Sequence, residues 1–392
     1  MLPTETMRVV VVSGLHHAAR SRTVDHLLRA IPGSIAVHHD LGAIADGEVR
    51  RVVRDARGVL DERPVELVHA CITCTLREDL LPFLLDLAGD GAPPVCLVET
   101  WEGVEPRLVA EAFDMLVDGR PVSRRLHLAA VITAVDAGLL IADLSCDDDI
   151  AERGLGIAVE DDRTVAEVLT RQIEYPTILA LAGEPADEAH REERRALLEH
   201  LNPAAAVLPV DSARLPDLLQ GRFDPRSAAV RLDPLCAQYP GLPRSGRVRT
   251  VTWRRRRPMD PGRLHAALDE LVAAGLRSRG RFWLASRPDT VLLWDAGGGA
   301  LAIEPAGPWL AALPEGAWEL ASEARRAAAR MDWDPETGDR GQCLSFTGID
   351  LDEERLVALL DACLLTDEEM GEPGGPWTRH TDPFAEILDA AS

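Results

Sequence analysis

The sequence predicts an α/β protein in which a doubly wound parallel sheet domain is followed by a smaller α+β domain. The chain has 392 residues, enough for two domains with sizeable cores. Its first part alternates short apolar, β-branched runs with helical patterns, which is typical of strand–helix units around a parallel sheet. Residues 216–245 are rich in proline and turn residues and indicate a linker. We therefore expect domains at residues 1–215 and 246–392.

The composition indicates which partners to expect. The formal net charge is −23, which disfavours nucleic acid and anionic membrane surfaces. There is no run of eighteen apolar residues and no basic N-terminus followed by an apolar one, so we expect neither a transmembrane helix nor a signal peptide. Seven irregularly spaced cysteines do not suggest a disulfide framework. We expect a cytoplasmic protein with no nucleic-acid or membrane partner.

The first predicted strand, residues 8–13, leads through a loop into a helix. This is the context of the phosphate-binding P-loop, G-x-x-x-x-G-K-[ST]. Gly14 and Ser21 match it, but Ala19 and Arg20 replace the second glycine and the lysine. A Cβ disfavours the curled backbone, and arginine is not interchangeable with lysine, so nucleotide binding is expected to be weakened or absent. In a chain without lysine, the alternative is that arginine retains the phosphate contact. The candidate phosphate-binding residues are Gly14, Leu15, His16, His17, Ala18, Ala19, Arg20 and Ser21.

Potential metal ligands follow the next two predicted strands. Residues 34–37 lead into His38, His39 and Asp40, whose imidazole and carboxylate groups suit a borderline metal; the alternative is a solvated histidine pair. Residues 64–68 then lead into Cys71 and Cys74, before a helix at residues 76–87. Two thiolates can bind zinc, although a tetrahedral site needs two more ligands. The alternatives are a redox pair or structural thiols.

A fourth strand, residues 94–98, ends at Glu99, which can hold magnesium or remain a solvated carboxylate. Since the carboxyl ends of parallel strands meet at one edge of a sheet, we expect the loops after all four strands to converge. The longest buried run, residues 126–137, contains Asp136 near its end. The first domain is completed by helices at residues 165–173 and 188–200 and strands at residues 177–182 and 205–210.

The second domain combines short strands with two helices. The predicted strands are residues 247–253, 281–285, 290–294 and 342–348, and the predicted helices are residues 264–271 and 353–360. The arginine run at residues 254–257 could indicate nucleic-acid binding, but the acidic charge of the whole chain favours a solvated strand edge.

The cysteine segment, residues 70–80, resembles the G-C-x-C-C-T-L-R-x-D-L segment of the CobW-like family of P-loop GTPases and metallochaperones. Ala70 stands at the first position and Thr73 replaces the middle cysteine. Glu99, Thr100 and Pro106 match the family's E-T-S-G-x-x-x-P segment, in which Trp101 and Glu102 replace serine and glycine. The second domain is similar to the CobW C-terminal domain. That similarity is carried by residues 282–289, 338–342 and 360–370 and by Trp377, Asp382, Pro383 and Phe384.

One motif departs strongly from the family. The guanine-recognition motif N-K-x-D is replaced by Ala182, Gly183, Glu184 and Pro185, and proline cannot supply the carboxylate that accepts hydrogen bonds from guanine. This departure favours a degenerate GTPase or a changed base preference.

The resemblance implies a P-loop NTPase-like first domain and a GTP-dependent metallochaperone, with zinc or a similar divalent metal and a client metalloprotein. It implies that the cysteine segment is the metal site, and we predict Cys71 and Cys74 as its thiolate ligands, with His38, His39 or Asp40 completing the site. GTP with Mg²⁺ would contact Arg20, Ser21, Glu99 and Asp136. The first alternative is a pseudo-GTPase that binds metal or acts as a regulatory scaffold without turnover, and a more distant one is a thiol-redox protein.

Overall fold

The structure is a computed structural model that describes residues 6–69, 71–117, 119–157, 161–183, 185, 187–239, 242–371 and 382–390. Ala70, Glu184 and Trp377, which belong to the motifs above, lie outside these residues. The chain divides into two compact units, Met1–Ala228 and Ala229–Ser392. The division falls within the segment that the sequence marks as a linker. Within the described part of the chain, no helix has both the length and the apolar character needed to cross a membrane.

The first unit is built on one large sheet, as the sequence predicts. Its strands are β1 (Met7–Ser13), β2 (Ile35–Asp40), β3 (Val49–Asp55), β4 (Gly58–Val65), β5 (Val95–Glu99), β8 (Leu126–Asp136), β9 (Ile178–Ala182) and β10 (Ala206–Pro209), while β6 (Leu116–Val117) and β7 (Arg120–Pro121) form a separate ribbon. The strand order is β10-β9-β8-β1-β5-β2-β3-β4. Strands β10 to β2 in this order are parallel, whereas β3 and β4 are antiparallel additions at one edge.

Helices cover the sheet and complete the predicted doubly wound α/β arrangement. They are α1 (His17–Ala30), α2 (Ile72–Cys74), α3 (Leu81–Leu87), α4 (Pro106–Ala112), α5 (Leu140–Ser145), α6 (Val165–Glu174), α7 (Glu188–Leu201) and α8 (Pro225–Leu232). A π-helical turn, Thr75–Leu80, joins α2 to α3, and 3₁₀ turns lie at Ile44–Asp46, Val122–Arg124 and Pro216–Gln220. The apolar face of α1, with Val24, Leu27 and Leu28, packs in one core with the buried valines of β1.

The prediction of a buried strand at residues 64–68 is wrong. Strand β4 ends at Val65 and is mostly exposed at the sheet edge, and Val68 is 75% exposed. The β3–β4 hairpin was not predicted from the sequence, although β3 alternates arginine and valine as a half-buried strand does. Because β4 is antiparallel to β3, and β3 to β2, the end of β4 still lies at the same sheet edge as the ends of β2 and β5.

The second unit confirms the predicted α+β class. Its strands are β11 (Val248–Arg255), β12 (Arg277–Phe282), β13 (Thr290–Gly297), β14 (Ala300–Pro308) and β15 (Gln342–Ile349), in the antiparallel order β11-β15-β12-β13-β14. Its helices are α9 (Pro261–Ala273), α10 (Glu323–Met331), α11 (Glu353–Ala362), α12 (Asp367–Met370) and α13 (Ala385–Ala390), with 3₁₀ turns at Leu310–Ala312 and Glu315–Leu320. Trp253, Trp294 and Phe346 are buried in its core. Strand β14 and helix α10 were not predicted from the sequence.

Candidate nucleotide and metal site

The loop after β1 is held in a tight conformation by Gly14. Its φ is +150°, and a Cβ at this position would lie 2.3 Å from the Ala134 carbonyl oxygen, so only glycine fits. Helix α1 begins at His17, and the Arg20 amide already donates to the His16 carbonyl. The non-helical loop between Gly14 and α1 is therefore short. A P-loop uses an extended run of backbone amides to cradle phosphate, and this loop offers fewer of them.

Arg20, at the lysine position of the motif, is completely buried. Its NH1 group donates to the Gly14 carbonyl over 2.7 Å, and its NH2 group donates to Glu102 over 2.8 Å. The Arg20 Nε atom lies 3.4 Å from Glu99, and NH2 is 3.1 Å from the His17 Nδ1 atom. Each of the three guanidinium nitrogens thus already faces a group of the protein itself.

Glu99, at the end of β5, is the centre of a charge network. One of its oxygens accepts a hydrogen bond from Ser21 at 3.3 Å, and the other accepts from Arg54 at 3.1 Å. Arg54 also pairs with Asp25. The serine and the acidic residue that the sequence assigned to Mg²⁺ are therefore adjacent. Hydroxyl and carboxylate oxygens are suitable donors for that hard cation, although both are engaged with other residues of the protein.

The other predicted phosphate-binding residues differ in accessibility. Leu15 and Ala19 are buried, while His17 and Ala18 are exposed. The His16 imidazole pairs with Asp143, with 3.0 Å between Nε2 and Oδ2. The chain thus exposes only part of the predicted set to solvent.

Asp136 ends β8 at the same sheet edge. Its Oδ1 atom accepts a hydrogen bond from the Gly138 amide at 2.9 Å, and the nearby Gly183 has a φ of +61°. A Cβ at Gly183 would approach the Asp136 carboxylate to 2.7 Å. The carboxylate is therefore enclosed by two glycine-containing turns, one of them in the segment that replaces the guanine-recognition motif.

The two cysteines of the C-x-x-C segment lie together at the start of α2. Cys71 is half-buried and Cys74 buried, and the Cys74 amide donates to the Cys71 sulfur at 3.4 Å. The hydrogen bond between the side chains raises the pKa of the Cys74 thiol above its ordinary value. Soft sulfur donors at this spacing fit zinc, which binds cysteine as the thiolate.

The Glu78 carboxylate lies near the cysteine pair and holds the loop that leads to it. Glu78 accepts a hydrogen bond from the Val68 amide at 2.9 Å and another from Arg77 at 2.7 Å. These two bonds, together with a smaller contribution from the Cys74 side chain, lower the pKa of the Glu78 carboxyl. Glu78 thereby fixes the loop that precedes the cysteines.

The histidines of β2 face different partners. Strand β2 extends through Asp40, so His38 and His39 lie within the strand and their side chains point to opposite faces of the sheet. His38 lies 3.0 Å from the Glu99 carbonyl through Nδ1 and stacks on Trp101. Burial lowers its pKa, although the Glu99 carbonyl and charge act in the opposite direction. Asp40 accepts a hydrogen bond from the Gly42 amide at 2.9 Å.

His39 belongs to a buried ion network on the other face. Its Nε2 atom lies 2.7 Å from Asp79, and Asp79 also accepts from Arg51 at 2.6 Å. The Arg51 guanidinium in turn stacks over Phe83. Burial alone would raise the pKa of the Asp79 carboxyl, but its bonds to His39 and Arg51 hold that pKa below its ordinary value.

The structure therefore brings the two thiols together but does not add His38, His39 and Asp40 to them. Among the residues that the structure describes, no group of three or more histidine, cysteine, aspartate or glutamate side chains is arranged to hold a metal ion. The cysteine pair can supply two zinc ligands. Among the described residues, further ligands would require a rearrangement; water or another molecule could also supply them.

Three residues at this edge were not singled out from the sequence for the roles they have here: Arg54, Asp79 and Glu102. The β3 alternation would have marked Arg54 as a strand residue. Glu102 was visible only as a departure from the family's glycine. Its contact with Arg20 spans 82 positions and has no local sequence signal.

Family models match both units of the chain. Residues 10–209 match the model described as CobW/HypB/UreG, nucleotide-binding domain. Residues 248–364 match the model described as cobalamin synthesis protein cobW C-terminal domain. The two matched regions lie in the doubly wound unit and in the α+β unit, respectively.

Two relatives align with this chain over nearly its whole length. The zinc chaperone of Mycobacterium tuberculosis is 32% identical over 399 residues, which are 97% of this chain and 93% of the relative. The zinc-regulated GTPase metalloprotein activator 1 of Dictyostelium discoideum is 25% identical over 410 residues, which are 97% of this chain and 84% of the relative. The Zn(II)-bound YjiA GTPase from E. coli aligns over 92% of this chain and all of its own, at 16% identity and a TM-score of 0.35, a similarity too low to support an inference.

Proposed function

Because the chain belongs to the CobW family, we propose that it is a metallochaperone that binds zinc, or a similar divalent ion, as its cargo. In this proposal the protein delivers the ion to a client metalloprotein. Guanine nucleotide bound at residues 14–21, the phosphate loop, controls the delivery. Two relatives that span almost the whole chain are named for zinc. The single observation on which the proposal rests is the pairing of Cys71 and Cys74 at the sheet edge that also carries the phosphate loop.

The cysteine pair has the properties of a transfer site rather than a permanent structural one. Structural zinc sites are closed by four protein ligands, whereas this pair has a partly exposed loop on one side, with His69 and Val68 exposed. Two thiolates leave coordination positions free for water or for ligands of the acceptor. An incomplete protein ligand set therefore suits an ion that must be released.

Strand β2 supplies a physical connection between the metal and phosphate sides. His39 holds Asp79, which lies five residues after Cys74. The adjacent His38 contacts the Glu99 carbonyl, and the Glu99 side chain contacts Arg20 and Ser21. A shift of β2 would therefore disturb the contacts of both Asp79, near the cysteines, and Glu99, near the phosphate loop. By thermodynamic linkage, nucleotide that changes zinc affinity must be affected by zinc to the same degree.

A reducing compartment, the cytoplasm, is part of the proposal. All seven cysteines of the chain are free thiols in the structure, and zinc transfer requires the two ligand cysteines to remain reduced. The client would be a metalloprotein whose own thiolate or imidazole ligands accept the ion.

The test is a zinc titration of the full chain against a chromophoric chelator. The double variant Cys71→Ala/Cys74→Ala is expected to bind zinc at least about a hundredfold more weakly, because it lacks both thiolate ligands. Cys146→Ala is the matched control, since that half-buried thiol donates to the Asp143 carbonyl, away from the pair. Unchanged zinc affinity in the double variant would contradict the proposed metal site.

A second candidate is a pseudo-GTPase that binds metal without nucleotide turnover. The burial of Arg20 and its pairing with Glu102 favour it. Steady-state GTP hydrolysis separates the two candidates: hydrolysis that increases with zinc supports the chaperone with turnover. Absence of hydrolysis, with zinc still bound by the cysteines, supports the pseudo-GTPase.

A further inference from the structure

Two separate departures from the family pattern meet in the folded chain. Arg20 replaces the P-loop lysine and Glu102 replaces a glycine, and the two side chains form a buried ion pair at 2.8 Å. Their side chains are 0% and 8% exposed. We propose that Glu102 is a built-in counter-anion that occupies Arg20, so that a phosphate group binds this loop only by displacing the Glu102 carboxylate. This inference rests on the proposed function and concerns how its phosphate site is controlled.

The hydrogen-bonding capacity of Arg20 supports the proposal. Its NH1 group donates to the Gly14 carbonyl and its NH2 group donates to Glu102, while Nε lies 3.4 Å from Glu99 without a hydrogen bond. A phosphate oxygen is recognised by guanidinium N–H groups that are free to form charge-assisted hydrogen bonds. Here the carboxylate of Glu102 already uses that type of bond, so it competes directly with a phosphate.

The local charge balance also opposes phosphate binding. The network contains two guanidinium groups, Arg20 and Arg54, and three carboxylates, Asp25, Glu99 and Glu102. Carboxylates therefore exceed cations by one in this cluster. A polyphosphate that approaches meets excess negative charge, and juxtaposed like charges are strongly unfavourable where water is excluded.

The Glu102 carboxylate is itself incompletely satisfied. Its Oε2 atom is buried and has no hydrogen-bond partner among the described residues. A buried carboxylate oxygen without a partner raises the free energy of the closed arrangement. This cost makes the closed arrangement easier to open, because rotation of the side chain into water would solvate that oxygen.

Displacing Glu102 from Arg20 requires the Glu102 side chain to move, but not the backbone of its loop. The Gln172 side chain donates to the backbone carbonyls of Glu102 and Val104, at 2.7 and 3.1 Å. At Gly103, a Cβ would lie 2.3 Å from the Leu155 carbonyl oxygen, so the backbone is tightly packed there. A substitution at Glu102 that removes the charge should therefore leave the path of the loop unchanged.

The test measures the affinity of the full-length chain for GTP, ATP and inorganic pyrophosphate with Mg²⁺, by equilibrium dialysis. In Glu102→Gln the affinity for all three ligands is expected to rise at least about tenfold, because they share the phosphate chemistry that the carboxylate blocks. A rise for GTP alone would overturn the proposal, since it would indicate an effect on the base site. Glu105→Gln is the matched control: Glu105 lies three residues on and pairs with Arg163 and Arg171, not with Arg20.

A second variant keeps the test decisive if Glu102→Gln does not fold, because that change leaves Arg20 buried with fewer counter-charges. Arg20→Lys/Glu102→Gly places the residues of the family pattern at both positions and removes the buried arginine. It is expected to bind pyrophosphate at least about tenfold more tightly than the unmodified chain. A folded variant of either kind that binds no more tightly would overturn the proposal.

The same samples distinguish this inference from the proposed function. Zinc affinity, measured by chelator competition, reports on the cysteine pair, while pyrophosphate affinity reports on the Glu102 carboxylate. Weak zinc binding together with tighter phosphate binding in Glu102→Gln would contradict the metallochaperone and support the counter-anion. Zinc binding that depends on the cysteines, with unchanged phosphate binding in Glu102→Gln, would support the metallochaperone and contradict the counter-anion.

Discussion

Two loops at the same edge of the sheet differ in how the chain fills them. In the phosphate loop, Arg20 is fully buried and its guanidinium is surrounded by the protein's own carbonyl and carboxylate groups. In the cysteine loop, Val68 is 75% exposed and His69 is exposed. The cysteine loop is held mainly by hydrogen bonds to Glu78 and to backbone. The phosphate loop is therefore closed by the protein's own groups, whereas part of the cysteine loop is accessible to solvent.

Under the proposed function, this difference implies that phosphate binding and zinc binding need not change together in one chain. Phosphate binding requires unpaired donors and a flexible glycine backbone, both of which are reduced by the residues at positions 19, 20 and 102. In the proposed function, zinc binding requires two thiolates, which the half-buried Cys71 and the buried Cys74 would supply. Substitutions on each side should therefore have separable effects.

The largest effect on stability is expected in the phosphate loop, which is tightly packed at Gly14. Gly14→Ala should lower the free energy of unfolding by about 4 kcal/mol, because the new Cβ would clash with the Ala134 carbonyl at a positive φ. Gly58→Ala is the matched control. Its φ is +146°, close to that of Gly14, but no atom lies within 4 Å of the added Cβ. Urea denaturation of both variants isolates the clash, and equal losses would contradict the tight packing described for the phosphate loop.

The support of the cysteine loop should give the next largest effect. Asp79→Asn removes the charge that holds His39 and Arg51, and should cost about 2 kcal/mol of stability. It should also weaken zinc binding about tenfold, since Asp79 lies behind the cysteine segment. The control Asp86→Asn changes an exposed carboxylate further along the same helical segment. Unchanged zinc affinity despite the loss of stability would contradict the role of Asp79 in supporting the cysteine loop.

The loop that carries Glu102 is braced by a buried carboxylate. Asp161 accepts hydrogen bonds from the Ile157 amide and from Arg163, and Arg163 donates to the Gly103 carbonyl. Burial favours protonation of Asp161, but the Arg163 and Ile157 bonds outweigh it and lower its pKa below 3.8. Its contribution is therefore present above pH 3.8 and disappears as the pH falls through the lower pKa of the folded state.

Asp161→Asn should accordingly cost about 1 kcal/mol at neutral pH, and the difference from the unmodified chain should shrink on acidification below pH 3.8. Denaturation curves of both proteins at several pH values measure this difference in stability. Asp162→Asn, at the neighbouring exposed position, should cost little at any pH. A constant cost of Asp161→Asn across this range would contradict the ion pair.

The smallest effect is expected in the cysteine loop itself. Val68→Ser replaces an exposed apolar side chain and preserves the backbone amide that donates to Glu78. Stability should change by no more than about 0.5 kcal/mol, with zinc affinity unchanged. A loss above about 2 kcal/mol in thermal or chemical unfolding would show that this loop is as tightly packed as the phosphate loop.

The sequence predicted those parts of the fold that depend on local patterns. The apolar runs of β1, β5 and β8 were sufficient to predict the mostly parallel α/β sheet. The β3–β4 hairpin was missed because its strands are short, charged and half-exposed, so burial gave no continuous apolar run. The identity of the matched families was carried by short motifs, which are also local.

The charge networks of the candidate site could not be predicted in the same way. From the sequence, Arg20 and Glu102 were each only a departure from the family pattern, and only the fold places them in contact. Similarly, His39 was predicted as a metal candidate from its residue type, but its partner Asp79 lies 40 positions away. Long-range ion pairs depend on strand order and on side-chain direction, neither of which a single sequence specifies.

The most direct test of the central claim is the linkage between zinc and guanine nucleotide in the full-length chain. Zinc affinity is measured with and without GTP and Mg²⁺, and GTP affinity with and without zinc. We expect each ligand to change the affinity of the other by the same factor, and this coupling to vanish in Cys71→Ala/Cys74→Ala. Independent binding of the two ligands, or coupling that survives in the double variant, would contradict a metallochaperone controlled through this sheet edge.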